Sequence, residues 1–116
     1  MNDYELLELA AKAAGILFNG FDSFYEDYSA FDAELDVDYQ WNPPDSDGDA
    51  LRLAAQLSFS IEFHDTGSSY VVRPGYVYCH RGRAGDGCSE LYGEDKQAAT
   101  RRAIVGAVAE LGKAML

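Results

Sequence analysis

Apolar and polar positions alternate along this chain with two different periods, and the switch between them divides it into elements. Met1 to Gly20 repeats at helical spacing: Leu6, Ala10, Ala13 and Leu17 form one face, with Leu7, Ala14 and Phe18 beside it. Asn2 or Asp3 can cap this first helix, and the Asn19-Gly20 pair is suited to ending it. From Phe31 to Tyr39 the period falls to two. Phe31, Ala33, Leu35, Val37 and Tyr39 point one way while Asp32, Glu34, Asp36 and Asp38 point the other, which predicts a half-buried strand with an acidic outer face. Residues 47–57 return to helical spacing, with Leu51, Ala54 and Ala55 on one face and Leu53 and Leu57 four apart. Ser46 is the expected N-cap and Asp49 its capping-box partner.

Phe59 to His64 alternates again and predicts a second strand, closed by a turn over 65–69. Tyr70 to His80 predicts a third strand interrupted by Pro74-Gly75, residues that require a bulge, kink or edge position. After a loop over 81–87, Cys88 to Tyr92 forms a short fourth strand. Glu94 or Asp95 then opens a last helix to about Ala114, with Thr100, Ile104, Ala107, Leu111 and Met115 facing the core beside Ala103 and Val108. No internal repeat or linker is evident. The expectation is a single α+β domain over residues 1–116, in the order α-β-α-β-β-(β)-α, with helices packed on one face of a small antiparallel or mixed sheet.

Composition changes this picture mainly through charge. The chain has 116 residues, 47% of them apolar, and a formal net charge of −11. Residues 1–64 hold fourteen acids against Lys12 and Arg52 (−12), whereas residues 65–116 hold six acids against seven bases (+1). Nucleic acid phosphate should repel such a chain, because affinity for it is dominated by cationic contacts. A protein with a basic surface is the natural partner. No run of eighteen apolar residues is present, so no membrane span is expected. The start, MNDYELLELA, lacks the basic region of a secretory signal, which favours a reducing cytoplasm with Cys79 and Cys88 as thiols.

The run from Phe21 to Gln40 carries seven acids, Asp22, Glu26, Asp27, Asp32, Glu34, Asp36 and Asp38, among six aromatics and no base. These seven are the candidate partner-binding residues. A strand spacing of about 7 Å between carboxylates roughly echoes nucleic acid phosphates. The competing expectation is a solvated strand face that blocks edge pairing.

Other constellations are weaker. Asp45-x-Asp47-x-Asp49 starts like a calcium loop, but position six is not glycine and position twelve is Gln56. Cys79, His80, Cys88 and His64 are the only soft-metal ligands; Cys79 and His80 point to opposite strand faces, and no C-x-x-C pair exists. Cys79 and Cys88 can instead lie opposite each other as buried thiols. No nucleophile has a diagnostic companion, and no phosphate-binding loop is present. The reading is therefore a non-enzyme without cofactor or metal. Arg101 and Arg102, poorly placed near a helix start, are expected to pair with the acidic first half, for example with the 31–39 strand.

Three segments, Leu6–Gly15 (LLELAAKAAG), Trp41–Leu57 (WNPPDSDGDALRLAAQL) and Ala98–Lys113 (AATRRAIVGAVAELGK), resemble a family of small bacteriophage and prophage accessory proteins of the NinX-like type. The resemblance implies an origin in an infected bacterial cytoplasm and supplies no catalytic residues. With the acidic half, it makes inhibition of a host defence complex of the CRISPR type the leading expectation. One alternative is a small-ligand or nucleotide-binding, sequestering module using Tyr and Trp surfaces with Arg73, Arg81 and Arg83. The other is a homo-oligomeric structural protein, such as a homodimer, joined through aromatics at 21–31.

Overall fold

The computed structural model describes residues 2–65, 74–82 and 87–115. Its elements are α1 (Asp3–Ala14), β1 (Leu17–Asp22), β2 (Asp27–Asp32), β3 (Val37–Gln40), α2 (Asp47–Gln56), β4 (Ser60–His64), β5 (Tyr76–His80), β6 (Gly87–Leu91) and α3 (Lys96–Ala114). The α+β class holds, but the single expected sheet is two separate antiparallel ones, β1-β2-β3 and β4-β5-β6.

The differences lie in the first forty residues. The first helix stops at Ala14 rather than continuing to Gly20. Gly15 takes the left-handed conformation (φ 70°) and its N–H returns to the α1 carbonyls, a termination that glycine permits without steric cost. Leu17 and Phe18, in phase with the helix in sequence, lie instead in β1. Asn2 is the N-cap, its side chain accepting from the Glu5 N–H at 2.9 Å.

The expected strand over 31–39 is broken by a turn at 33–36, and the run from 17 to 40 is a three-stranded meander. The period-two pattern arises from strand–turn–strand, because turn residues also alternate acid with apolar. The ten residues FDSFYEDYSA (21–30) and FDAELDVDYQ (31–40) share the opening F-D-small and an acid at position six. Both build the same four-residue turn. Asp22 pairs across with Asp27, and Asp32 with Val37. The Asp22 carboxylate accepts from the Phe24 N–H at 2.8 Å, and that of Asp32 from Glu34 at 2.9 Å and Leu35 at 3.1 Å. Glu26 and Asp36 then occupy the left-handed region at φ 52° and 55°. This is a short repeat that periodicity alone conceals.

The middle and the end follow expectation more closely. Ser46 caps α2, accepting from the Asp49 N–H at 3.2 Å. The reciprocal bond of a capping box is redirected: an Asp49 carboxylate oxygen accepts from the Asn42 N–H at 3.0 Å, which ties the WNPP turn to the helix. Asp95 caps α3. β5 starts at Tyr76, after Pro74-Gly75; the expected extension over 70–73 lies outside the described residues.

The core sits around α3. Ala99, Ala103, Ile104, Val105, Ala107, Val108, Ala109 and Gly112 are all buried, more than one helical face, while Thr100 and Leu111 are half-buried and Met115 is exposed. α3 packs against α1 on one side and against α2, β5 and β6 on others, and the β1-β2-β3 sheet is attached through α1. Phe18 joins that sheet to the core, with ring centroids 5.8 Å from buried Trp41 and 5.5 Å from Tyr4. The molecule is elongated, 56 × 30 × 23 Å, with a radius of gyration of 15.2 Å against roughly 13 Å for a compact chain of this length.

At Gly112 the backbones of α3 and α1 meet, and a Cβ there would overlap the Leu9 carbonyl. Glycine-to-alanine inside an exposed helix gains about 1 kcal/mol. Here the forced separation of two helices outweighs that gain, and overpacking costs roughly 1–3 kcal/mol. Gly112→Ala should therefore lower the melting temperature by up to about 8 °C, as read by circular dichroism. An unchanged or raised value would contradict the close packing.

Candidate functional site

The seven acids of 21–40 do not form one ladder. Asp22, Glu26 and Asp27 surround the β1–β2 turn, while Asp32, Glu34 and Asp36 surround the β2–β3 turn at the opposite end of the sheet. Six-residue β2 separates the two groups by roughly 17 Å at ~3.3 Å per residue. Asp38 sits on β3 opposite Phe31. The continuous acidic face expected from the alternation is thus replaced by two acidic turns and one carboxylate on the sheet.

Four of the seven carry structural bonds. Asp22 and Asp32 fasten the turns, and Asp22 also accepts from the buried Ser29 hydroxyl at 3.4 Å. Asp27 accepts from the Asn42 side chain at 2.7 Å, which holds the sheet to the WNPP turn. Asp38 accepts from Asn19 at 2.9 Å, and the Tyr25 hydroxyl reaches its backbone carbonyl at 3.1 Å. The Glu26, Glu34 and Asp36 side chains are exposed and make no such bond among the described residues. Beside them Phe21, Phe24, Leu35 and Val37 are exposed as well, Phe24 to 85%. Each acidic turn therefore presents apolar side chains together with free carboxylates.

Five bases among the described residues pair with acids elsewhere. Arg52 pairs with Asp49 at 2.6 Å, Arg101 with Asp47 at 2.6 Å, Lys96 with Asp65 at 3.6 Å, Arg102 with Glu90 at 3.9 Å and Lys113 with Glu110 at 3.5 Å. Arg101 does reach the first half of the chain, at Asp47 and the Pro44 carbonyl, whereas Arg102 turns to β6; neither touches the 31–39 segment. No carboxylate of the meander pairs with a base among the described residues. The aspartates at 45, 47 and 49 have protein partners: Asn42 for Asp45, Arg101 for Asp47, and Asn42 with Arg52 for Asp49.

The second sheet separates its soft ligands by face. Cys79 and Cys88 are directly opposed across β5 and β6 as free thiols, Cys79 buried and Cys88 half-buried, as the spacing suggested. Burial, with a smaller contribution from Cys88, pushes the Cys79 thiol up to about 12, so it stays protonated and a poor nucleophile. Burial, then Glu90 and Glu110, also raises the thiol of Cys88. On the other face the Glu62 carboxylate lies between both histidines, bonded to His80 and 3.3 Å from His64. His64 stacks on Tyr76 at 4.6 Å and His80 on Tyr78 at 4.8 Å. Sequence spacing did not reveal this cluster, because it depends on the β4–β5 register that puts Glu62 opposite Tyr78 and diagonal to His80. The two histidines take different oxygens of one carboxylate, and among the described residues no trio of side chains converges on a metal position. For the nucleotide alternative, Arg81 is exposed at the end of β5, and Arg73 and Arg83 lie outside the described residues.

No helix among the described residues is long and apolar enough to cross a membrane. No family model, curated protein or solved structure matches the chain.

The turn geometry makes one consequence measurable. An L-residue in the left-handed region costs about 1–2 kcal/mol, and glycine relieves this while losing roughly 0.5–1 kcal/mol of chain entropy. Glu26→Gly and Asp36→Gly should each leave the melting temperature unchanged or raise it by up to about 4 °C. A fall in either would show that those carboxylates hold the turns.

Proposed function

We propose that the protein is a non-catalytic binding module that docks the two acidic turns of its β1-β2-β3 sheet onto a basic surface of another protein. The observation that carries this reading is the unneutralised meander: Glu26, Glu34 and Asp36 are exposed beside exposed apolar side chains, while the paired bases of the described residues serve other acids. Charge of one sign at the rim and apolar groups beside it suit protein docking, in which complementary potential governs encounter rate and partner choice. Two acidic points about 17 Å apart also fit a folded basic surface better than the uniform repeat of a nucleic acid strand.

The resemblance of residues 41–57 to phage accessory proteins directs the search to bacterial proteins, and a basic nucleic-acid-binding surface of a defence complex is the most specific partner of this kind. Occupying such a surface would exclude its nucleic acid.

The experiment compares immobilised wild-type protein with the variant Glu26→Gly, Glu34→Lys, Asp36→Gly in bacterial lysate, at 50 and at 300 mM salt, with bound proteins identified by mass spectrometry. Nucleic-acid-binding proteins should be retained by wild type at low salt, released at high salt and not retained by the variant. Equal retention by the variant, or retention insensitive to salt, would contradict electrostatic docking.

A further inference from the structure

An apolar concavity lies away from the acidic sheet, between α2, β4 and the first turns of α3. Ala50, Ile61 and Ile104 contribute to its lining, and Leu51 and Phe63 stand at its walls, 61% and 53% exposed. It encloses about 560 Å³, inside the range of roughly 300–1,000 Å³ usual for small-molecule sites. α2 supplies Leu51 from the face opposite Leu53, and β4 supplies Ile61 and Phe63 from one side of the strand. α3 supplies Ile104 together with the polar rim.

That rim carries two of the chain's 9 bases beside one acid and two neutral polar residues, Gln97 and Thr100. Lys96 and Arg101 both line the groove, with Asp47 as the acid among the lining residues. Asp47 is occupied by Arg101, whose guanidinium also donates to the Pro44 carbonyl at 2.7 Å. Lys96 is differently placed. Its ammonium lies 5.2 Å over the Phe63 ring and 4.6 Å over that of Tyr92, which aims it at the apolar wall. Its carboxylate partner, Asp65, is 3.6 Å away and highly exposed, a weak pair that a ligand anion can replace.

We propose that this groove binds a small anionic amphiphile: a carboxylic acid whose acyl or aromatic body lies along Leu51, Ile61, Phe63 and Ile104 and whose carboxylate pairs with Lys96. The apolar walls fit the body of such a ligand, and the rim cation selects an anion over a neutral or cationic head group. This site is independent of the acidic turns, so either proposal can fail without the other.

Isothermal titration calorimetry of the whole protein with laurate, dodecanol and dodecyltrimethylammonium, each below its micelle concentration or solubility limit, tests it. Laurate should bind at one site per chain, at least tenfold more tightly than the cationic surfactant. Leu51→Asp changes an exposed position, so the fold should survive by circular dichroism while laurate affinity falls at least tenfold. Lys96→Gln should erase the difference between laurate and dodecanol. Absence of laurate binding, equal binding of all three head groups, or laurate binding unaffected by Leu51→Asp would each overturn the proposal.

Discussion

The close approach of α1 to α3 is the constraint on which the rest of this structure depends. Ten of the eighteen buried apolar side chains among the described residues are alanine. An alanine offers little area to bury, so a core of this kind gains cohesion from backbones lying near one another and from dense van der Waals contact. Gly112 against Leu9, with Ala10, Ala11, Ala14, Ala103 and Ala107 in the same cluster, provides that contact. Lys12 closes the end of the pair by donating to the Met115 carbonyl at 2.6 Å. With α1 fixed on α3, the first sheet hangs from α1 through Phe18 and Trp41, and the second lies on α3 through Val77, Cys79 and Cys88.

This arrangement accounts for how charge is distributed. α3 holds four of the five paired Lys and Arg side chains among the described residues, and Glu90 and Glu110 are spent on pairs with them. The first sheet lies outside that network, so its carboxylates meet no base among the described residues, and its turns expose them beside Phe24 and Leu35. The groove beside α2 is a second surface of different chemistry, apolar with Lys96 at its rim. The two surfaces thus differ in chemistry, and the groove draws its lining from both halves of the chain.

Much of the second half was legible in the sequence. Asp95 and Ser46 announced their helices, and the alternation of Ser60–His64 placed Glu62 and His64 together on one face. Opposition of the two cysteines followed from the 81–87 loop. The first forty residues were harder for a physical reason. Leu17 and Phe18 continue the phase of α1, and only the left-handed Gly15 ends that helix. Between Phe31 and Tyr39 a turn fastened by Asp32 has the same alternation of acid and apolar residue as a strand. The seven acids are visible in the sequence as one segment, but their division into hydrogen-bonded (Asp22, Asp27, Asp32, Asp38) and exposed (Glu26, Glu34, Asp36) side chains depends on sheet register. The His64–Glu62–His80 cluster is tertiary in the same sense, since it needs β4 and β5 side by side.

Native-state hydrogen exchange read by mass spectrometry tests most directly whether α3 is the shared support of both sheets. The account predicts that amides of residues 103–109 exchange most slowly, through global unfolding, together with the buried part of α1 and with β5. The β1-β2-β3 meander, which is held to α1 and to the WNPP turn, should exchange earlier. Protection of the meander that outlasts that of α3, or independent unfolding of α1 from α3, would contradict the account.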